Sequence, residues 1–143
     1  MMDFERVFSL AGLLAMSGWA ALLISPFIPK WSDRIAGLIV PAILSVGYLG
    51  LIFLSNENGG GFGNFAEVTQ LFSNPTALMA GWVHFLVFDL LIGAWICRVG
   101  RREGIKFWMV LPVLPITFML GPAGFLVFSS VRGITVLTKR KVS

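Results

Sequence analysis

Charged residues divide the chain into long apolar runs. Between Arg6 and Lys30 lie 23 residues without Asp, Glu, Lys, Arg or His, between Arg34 and Glu57 another 22, and between Lys106 and Arg132 a further 25. Each run exceeds the about 20 residues a helix needs to cross the hydrocarbon core of a bilayer. A fourth run, from about Ala77 to Cys97, is apolar except for His84 and Asp89. The pattern predicts helices over about 7–28, 35–55, 77–97 and 107–131. The fold class is therefore an all-α integral membrane protein: one domain over residues 1–143, a bundle of about four transmembrane helices.

Turn formers and prolines punctuate these runs. Pro26 and Pro29 end the first helix, because a proline ring cannot continue one. Lys30, Trp31, Asp33 and Arg34 mix charge with an indole, as suits the headgroup level. Pro41 should kink the second helix, a defect that membrane neighbours can satisfy. The second connection opens with Asn56-Glu57-Asn58-Gly59-Gly60-Gly61, a run of turn residues. Phe65, Val68, Leu71 and Phe72 then recur at helical spacing with Asn64, Glu67 and Gln70 on another face. This predicts a short amphipathic surface helix over about 64–73. Ser73-Asn74-Pro75 restarts the chain for the third span. The fourth run holds Pro112, Pro115 and Pro122, with Gly121 and Gly124 beside the last, so it should be bent or interrupted near Gly121.

Composition narrows the class. Over 143 residues the chain is 57% hydrophobic and 13% charged, with mean hydropathy +0.86, whereas a soluble domain carries roughly a quarter charged residues. Cys97 is the single cysteine, so no intramolecular disulfide and no cysteine-based four-ligand zinc site can form. The single His84 excludes a haem held by two histidines of one chain. Met1 to Arg6 lacks the positive leader of a signal peptide, so the first apolar run is expected to stay as a helix. There is no phosphate-binding loop and no His-Glu-x-x-His. The basic turns suit anionic headgroups rather than nucleic acid. Orientation stays open: in a four-span bundle the first and third connections hold six Lys and Arg, against five for the N-terminus, second connection and tail together.

Candidate chemistry concentrates in the third span. A carboxylate near the bilayer centre costs about 2.5–3.5 kcal/mol on the insertion scale, so Asp89 must be compensated by partners or by protonation. His84 and Asp89 are five residues apart, about 140° around a helix, so they flank an inward face rather than share a stripe. His84 aligns with Ala80, Phe88 and Leu91, and Asp89 with Trp82, Phe85 and Gly93. Counting inward from the connection shared with the antiparallel second helix brings Tyr48 level with His84 and Ser45 level with Asp89. These groups either hydrogen-bond across helices and fix the packing, or form a site that handles protons or orients a ligand.

The stretch Ala80-Gly81-Trp82-Val83-His84-Phe85-Leu86-Val87-Phe88-Asp89-Leu90 resembles a small membrane-protein family of plants and bacteria. In plants that family is linked to abscisic acid deficiency and neoxanthin formation. Gly63-Asn64-Phe65, Leu71-Phe72, Pro75 and Gly121-Pro122-Ala123-Gly124 extend the resemblance over nearly the whole chain, on the bacterial side of the family. It implies a multi-pass protein of the bacterial inner membrane that takes a carotenoid or other apolar polyene. The implied reaction, isomerisation of the epoxide violaxanthin to the allene neoxanthin, needs no redox cofactor. Such a step requires an acid at the epoxide oxygen and a base for a carbon-bound proton, in a dry cavity. His84 as base, Asp89 as acid or orienting group and Tyr48 as a second donor fill those roles, and the first two can be exchanged.

Two other readings stand beside the isomerase. One is a non-catalytic pigment- or lipid-binding subunit of a membrane complex; the other is a small transporter or proton channel, which the lack of an evident inverted repeat disfavours. Membrane lipids are expected partners and no cofactor or metal is expected. A homo-oligomer or a larger membrane complex is left open.

Overall fold

The computed structural model describes residues 2–55 and 59–142, with side chains through residue 138. The expected turn at Asn56, Glu57 and Asn58 lies outside the described residues. Helix α1 (Phe4–Leu23) is capped by Asp3, whose side chain accepts a hydrogen bond of 3.2 Å from the Arg6 amide. It stops short of the expected residue 28, since the ring of Pro26 would meet the carbonyl of Leu22, four residues back. The chain turns and restarts at Pro29, which lacks only an amide that a first helical turn leaves unpaired anyway.

The second span is one continuous rod in three registers: α2 (Pro29–Arg34), a π-helical segment (Ile35–Ile39) and α3 (Val40–Ser55). The defect expected at Pro41 takes the form of that π segment. An extra residue in the turn makes room for a proline that cannot donate and whose ring crowds the carbonyl at Gly37. It also lays Gly37 against Arg98, whose Nη2 lies 2.7 Å from where a Cβ on Gly37 would stand.

Helix α4 (Phe65–Phe72) is the surface helix expected over 64–73. Its N-terminus is a reciprocal cap: Asn64 accepts from the Glu67 amide at 3.0 Å, and Glu67 accepts from Asn64 Nδ2 at 2.8 Å and from the Gly63 amide at 3.0 Å. Asn74 then caps α5 (Pro75–Arg102), accepting from the Thr76 amide at 2.8 Å.

Helix α5 is the centre of the bundle. Ala80, Val83, Val87, Leu90, Ala94 and Ile96 are all buried along it. Phe8 stacks on Trp82, Gly18 takes Leu90, and Gly93 takes Trp19 and Leu22, so α1 runs in the same direction as α5. Tyr48 meets His84 and Gly37 meets Arg98, so α3 runs opposite. Without a hydrophobic drive between helices in lipid, small residues that let rods close on one another carry much of the packing.

Among the described residues four helical stretches, Phe4–Leu23, Pro29–Ser55, Pro75–Arg102 and Gly121–Thr138, are long and apolar enough to cross a membrane. The last does not start at an end of the bundle. The continuous helix expected over 107–131 is α6 (Phe107–Val110), α7 (Val113–Met119) and α8 (Gly121–Val142), and the interruption expected near Gly121 is a full reversal. Going in, Val110 lies beside Gly100 and Phe118 meets Trp19. Coming back, Gly121 lies beside Asp89, Phe125 and Phe128 pack on Trp95, and Arg132 binds Glu103 at 2.5 Å.

Several features together reverse the chain. Leu120 leaves the helix at φ −145°, ψ 76°, and Pro122 has no amide to join a continuing ladder. Gly124 lets α8 close on Thr117, whose side chain occupies the place of a Cβ there. The Leu120 carbonyl is satisfied by the Gly124 amide at 3.0 Å. Because α8 returns, Arg132 lies at the same end as Lys30, Arg34 and the Arg98–Lys106 turn. Among the described residues Arg6 alone of the Lys and Arg side chains lies at the α4 end. The conflict of charges expected for four full crossings is thereby removed. At the basic end Asp33 binds Arg101 at 2.5 Å, with Arg98 at 3.8 Å.

Candidate functional site

Two faces of α5 open onto two cavities. The larger, about 820 Å³, lies between α3 and α5 under the Gly59–Phe72 stretch. Tyr48, Ile52, Phe72, Trp82, His84 and Phe85 are among its walls. The imidazole of His84 lies 4.5 Å from the Phe88 ring and 5.7 Å from the Tyr48 ring, centroid to centroid. His84 is on the outer face of the helix and Tyr48 is half-buried. The depth match expected between these two residues is therefore a contact.

The α4 segment covers this cavity. Phe72 lies against Gly81, its Cε1 2.7 Å from the place of a Cβ there. Gly60, at φ 91°, brings the preceding loop onto the backbone of Leu71, an approach and a conformation that a side chain would obstruct. Asn64, Glu67 and Gln70, the polar face of that helix, are not among the walls of this cavity. Asn64 and Glu67 hold each other and the loop, and Gln70 lies against Gly59.

Asp89 faces the other way. It is 5% exposed, and its Oδ2 is buried with no hydrogen-bond partner. The expected pairing with Ser45 is not made. Asp89 is turned toward α1 and the α7–α8 hairpin. Its cavity, about 220 Å³, is walled by Trp19, Trp82, Phe85, Phe118 and Met119. Trp19 and Phe118 meet edge to face at 5.4 Å, and Trp82 stacks on Phe85 at 5.5 Å.

His84 and Asp89 do not flank one inward face as expected: His84 is exposed on the outer side of α5 and Asp89 is buried on the other, so the pair is not brought together at one reacting point. What joins them is a shared wall: Trp82 and Phe85 border both cavities. Trp19 and Phe118 in turn border a third, wholly apolar groove of about 520 Å³ between α1 and α6–α7. The three form a series past Tyr48, His84 and Asp89. Sequence reading missed Trp19, Phe118 and Gly121 as neighbours of Asp89. The signal was present in Gly121-Pro122-Ala123-Gly124, which reads as a bend along a crossing helix and as a neighbour of Asp89 only once the helix is seen to turn back.

The family model described as ABA4-like, ABA DEFICIENT 4-like, matches residues 6–128. That range contains every residue lining the three cavities. No curated protein and no solved structure matches the chain.

Proposed function

The chain belongs to the ABA4-like family, and from that footing we propose that it is a carotenoid-modifying protein of the bacterial inner membrane that isomerises an epoxy-carotenoid. The observation that carries this reading is the series of aromatic-walled cavities bordering His84, Tyr48 and Asp89. A long apolar rod is the ligand shape such a series fits, and a few polar groups in an apolar wall are what fix a ligand's orientation.

Opening an epoxide to an alcohol while forming an adjacent double bond moves one proton on and one off. The epoxide oxygen gains a proton as its C–O bond breaks, and a carbon-bound proton leaves to a base, so atoms and electrons balance without a cofactor. His84 is the base in this reading. Tyr48, on the same cavity wall, is the donor to the epoxide oxygen, and Asp89, behind Trp82 and Phe85, orients the ligand instead of exchanging protons with it. The separation of the two cavities supports this division, since a general acid and base must both reach the reacting atoms within about 3 Å.

Expression in a carotenoid-producing bacterium, with pigments resolved by chromatography, tests the proposal. A new isomer of an epoxidised pigment, lost with His84→Ala, supports it. Unchanged pigments with the wild-type chain overturn it, and pigment that copurifies unconverted gives the molecule to the binding-subunit reading.

A further inference from the structure

Residues 59–72 are bonded chiefly to themselves. The Gly61 amide donates to the Glu67 carbonyl at 3.3 Å, and the Gly63 amide to the Glu67 carboxylate at 3.0 Å. Gln70 lies against Gly59, and the backbone of Leu71 against Gly60. No residue of α4 is buried, and few buried apolar contacts mark a segment that opens at low cost. Its latch on α5 is Phe72, seated on Gly81. The segment is thus a flap, tied together internally and held to the bundle at one ring. Gly59, Gly60, Gly61, Leu71 and Phe72 form its cavity side, one wall of the space that His84 borders.

Away from the cavity the flap is apolar and uncovered. Phe65 is 86% exposed, and Phe62, on the cavity rim, 82%. Two phenyl rings left in water forgo the free energy that apolar burial brings. Lipid is the neighbour within reach. The flap runs from the end of α3 to the start of α5, where Phe53, Leu54 and Leu78 are exposed on helices long and apolar enough to cross a membrane. Charge points to the acyl boundary rather than to anionic headgroups, since the chain has no Lys or Arg from Ile35 through Cys97. Aromatic rings at that level are what hold such a segment in a leaflet. The flank of the cavity between α3 and α5 is open as well: His84 is exposed, with Ile52 and Phe88 beside it 39% and 52% exposed. We propose that the flap is a water seal anchored in the leaflet by Phe62 and Phe65, and that an apolar ligand enters the His84 cavity sideways from lipid, between α3 and α5. The proposal goes beyond the carotenoid reading, because it holds for any ligand that dissolves in the bilayer.

Spin labelling of the full-length protein in phosphatidylcholine nanodiscs tests the seal, the anchor and the route. Nitroxides are attached before reconstitution at Phe65→Cys and, on the cavity wall, at Ile52→Cys; Cys97 is buried, so the unaltered chain is the blank. Both labels should collide more with oxygen, which concentrates in lipid, than with a nickel chelate, which stays in water. Adding Phe72→Ala, or Gly60→Val at its positive φ, should raise nickel collisions at Ile52→Cys about ten-fold, equivalent to about 1.4 kcal/mol of lost flap contact. A Phe65→Cys label that meets nickel more than oxygen overturns the proposal. So does an Ile52→Cys label as open to nickel as one at Arg102→Cys on the exposed basic end, or one that neither reagent reaches. An unlatched flap that leaves nickel collisions unchanged overturns it too. None of these readouts uses pigment, so failure here and failure of the isomerase reading are separate results.

Discussion

The carboxylate of Asp89 occupies the space that a Cβ on Gly121 would need, with Cγ only 2.9 Å from that position. An intramembrane acid and the first residue of a returning helix are fitted to each other, from positions 32 residues apart in sequence. Gly121→Ala should therefore force the two apart and destabilise the fold by about 1–3 kcal/mol, the usual range for overpacking. Asp89→Ala in the same chain should recover most of that loss. A double-mutant cycle in unfolding free energy should give a coupling of about 0.5–3 kcal/mol, and strictly additive effects would refute the contact.

The two faces of α5 should separate in kinetics. His84→Ala and Tyr48→Phe are expected to lower turnover of bound pigment about 10²–10⁴-fold, the contribution of a positioned general acid or base. Asp89→Leu should instead raise KM for the pigment and leave kcat nearly unchanged. The measurement is pigment conversion by membranes containing each variant, and a loss of kcat in Asp89→Leu equal to that of His84→Ala would reverse the roles.

The returning hairpin predicts topology. With α8 retracing α5 to the basic end, the second connection and the C-terminal tail should lie on opposite sides of the membrane. Basic residues favour the cytoplasm, so the tail should be cytoplasmic and the α4 end outside. Alkaline phosphatase and fluorescent-protein fusions inserted at Phe62 and after Ser143 report this directly. Both fusions on one side would mean that the fourth segment crosses completely.

The α4 cover depends on its cap. Asn64→Ala removes the acceptor for the Glu67 amide and one donor to the Glu67 carboxylate, which should cost about 1 kcal/mol of local stability. Amide hydrogen exchange should quicken across Phe65–Phe72 and stay unchanged in the centre of α5. Uniform protection in both would show that the helix is held by Phe72 on Gly81 rather than by its N-terminus.

Most of the fold was legible because the bilayer imposes a length rule. Charge-free runs located each apolar segment, and the alternation of Phe65, Val68, Leu71 and Phe72 with Asn64, Glu67 and Gln70 marked α4 to within a residue at each end. Tyr48 and His84 were matched because depth along antiparallel helices can be counted at 1.5 Å per residue. Ser45 and Asp89 were not, because equal depth says nothing about azimuth, and the rotation of α5 is set by what packs on all its sides.

The sequence by itself determined that the chain belongs in a membrane, which stretches of it are apolar enough to enter one, and that one of them carries an acid and an imidazole. Those follow from local properties: run length, proline placement and the price of a charge in hydrocarbon. The tertiary structure alone decided that the fourth segment turns back at Leu120, that Asp89 fits against Gly121, and that His84 and Asp89 open onto different cavities with one wall between them. Each of these depends on helices finding their closest approach, which small residues distant in sequence permit jointly and no single segment encodes.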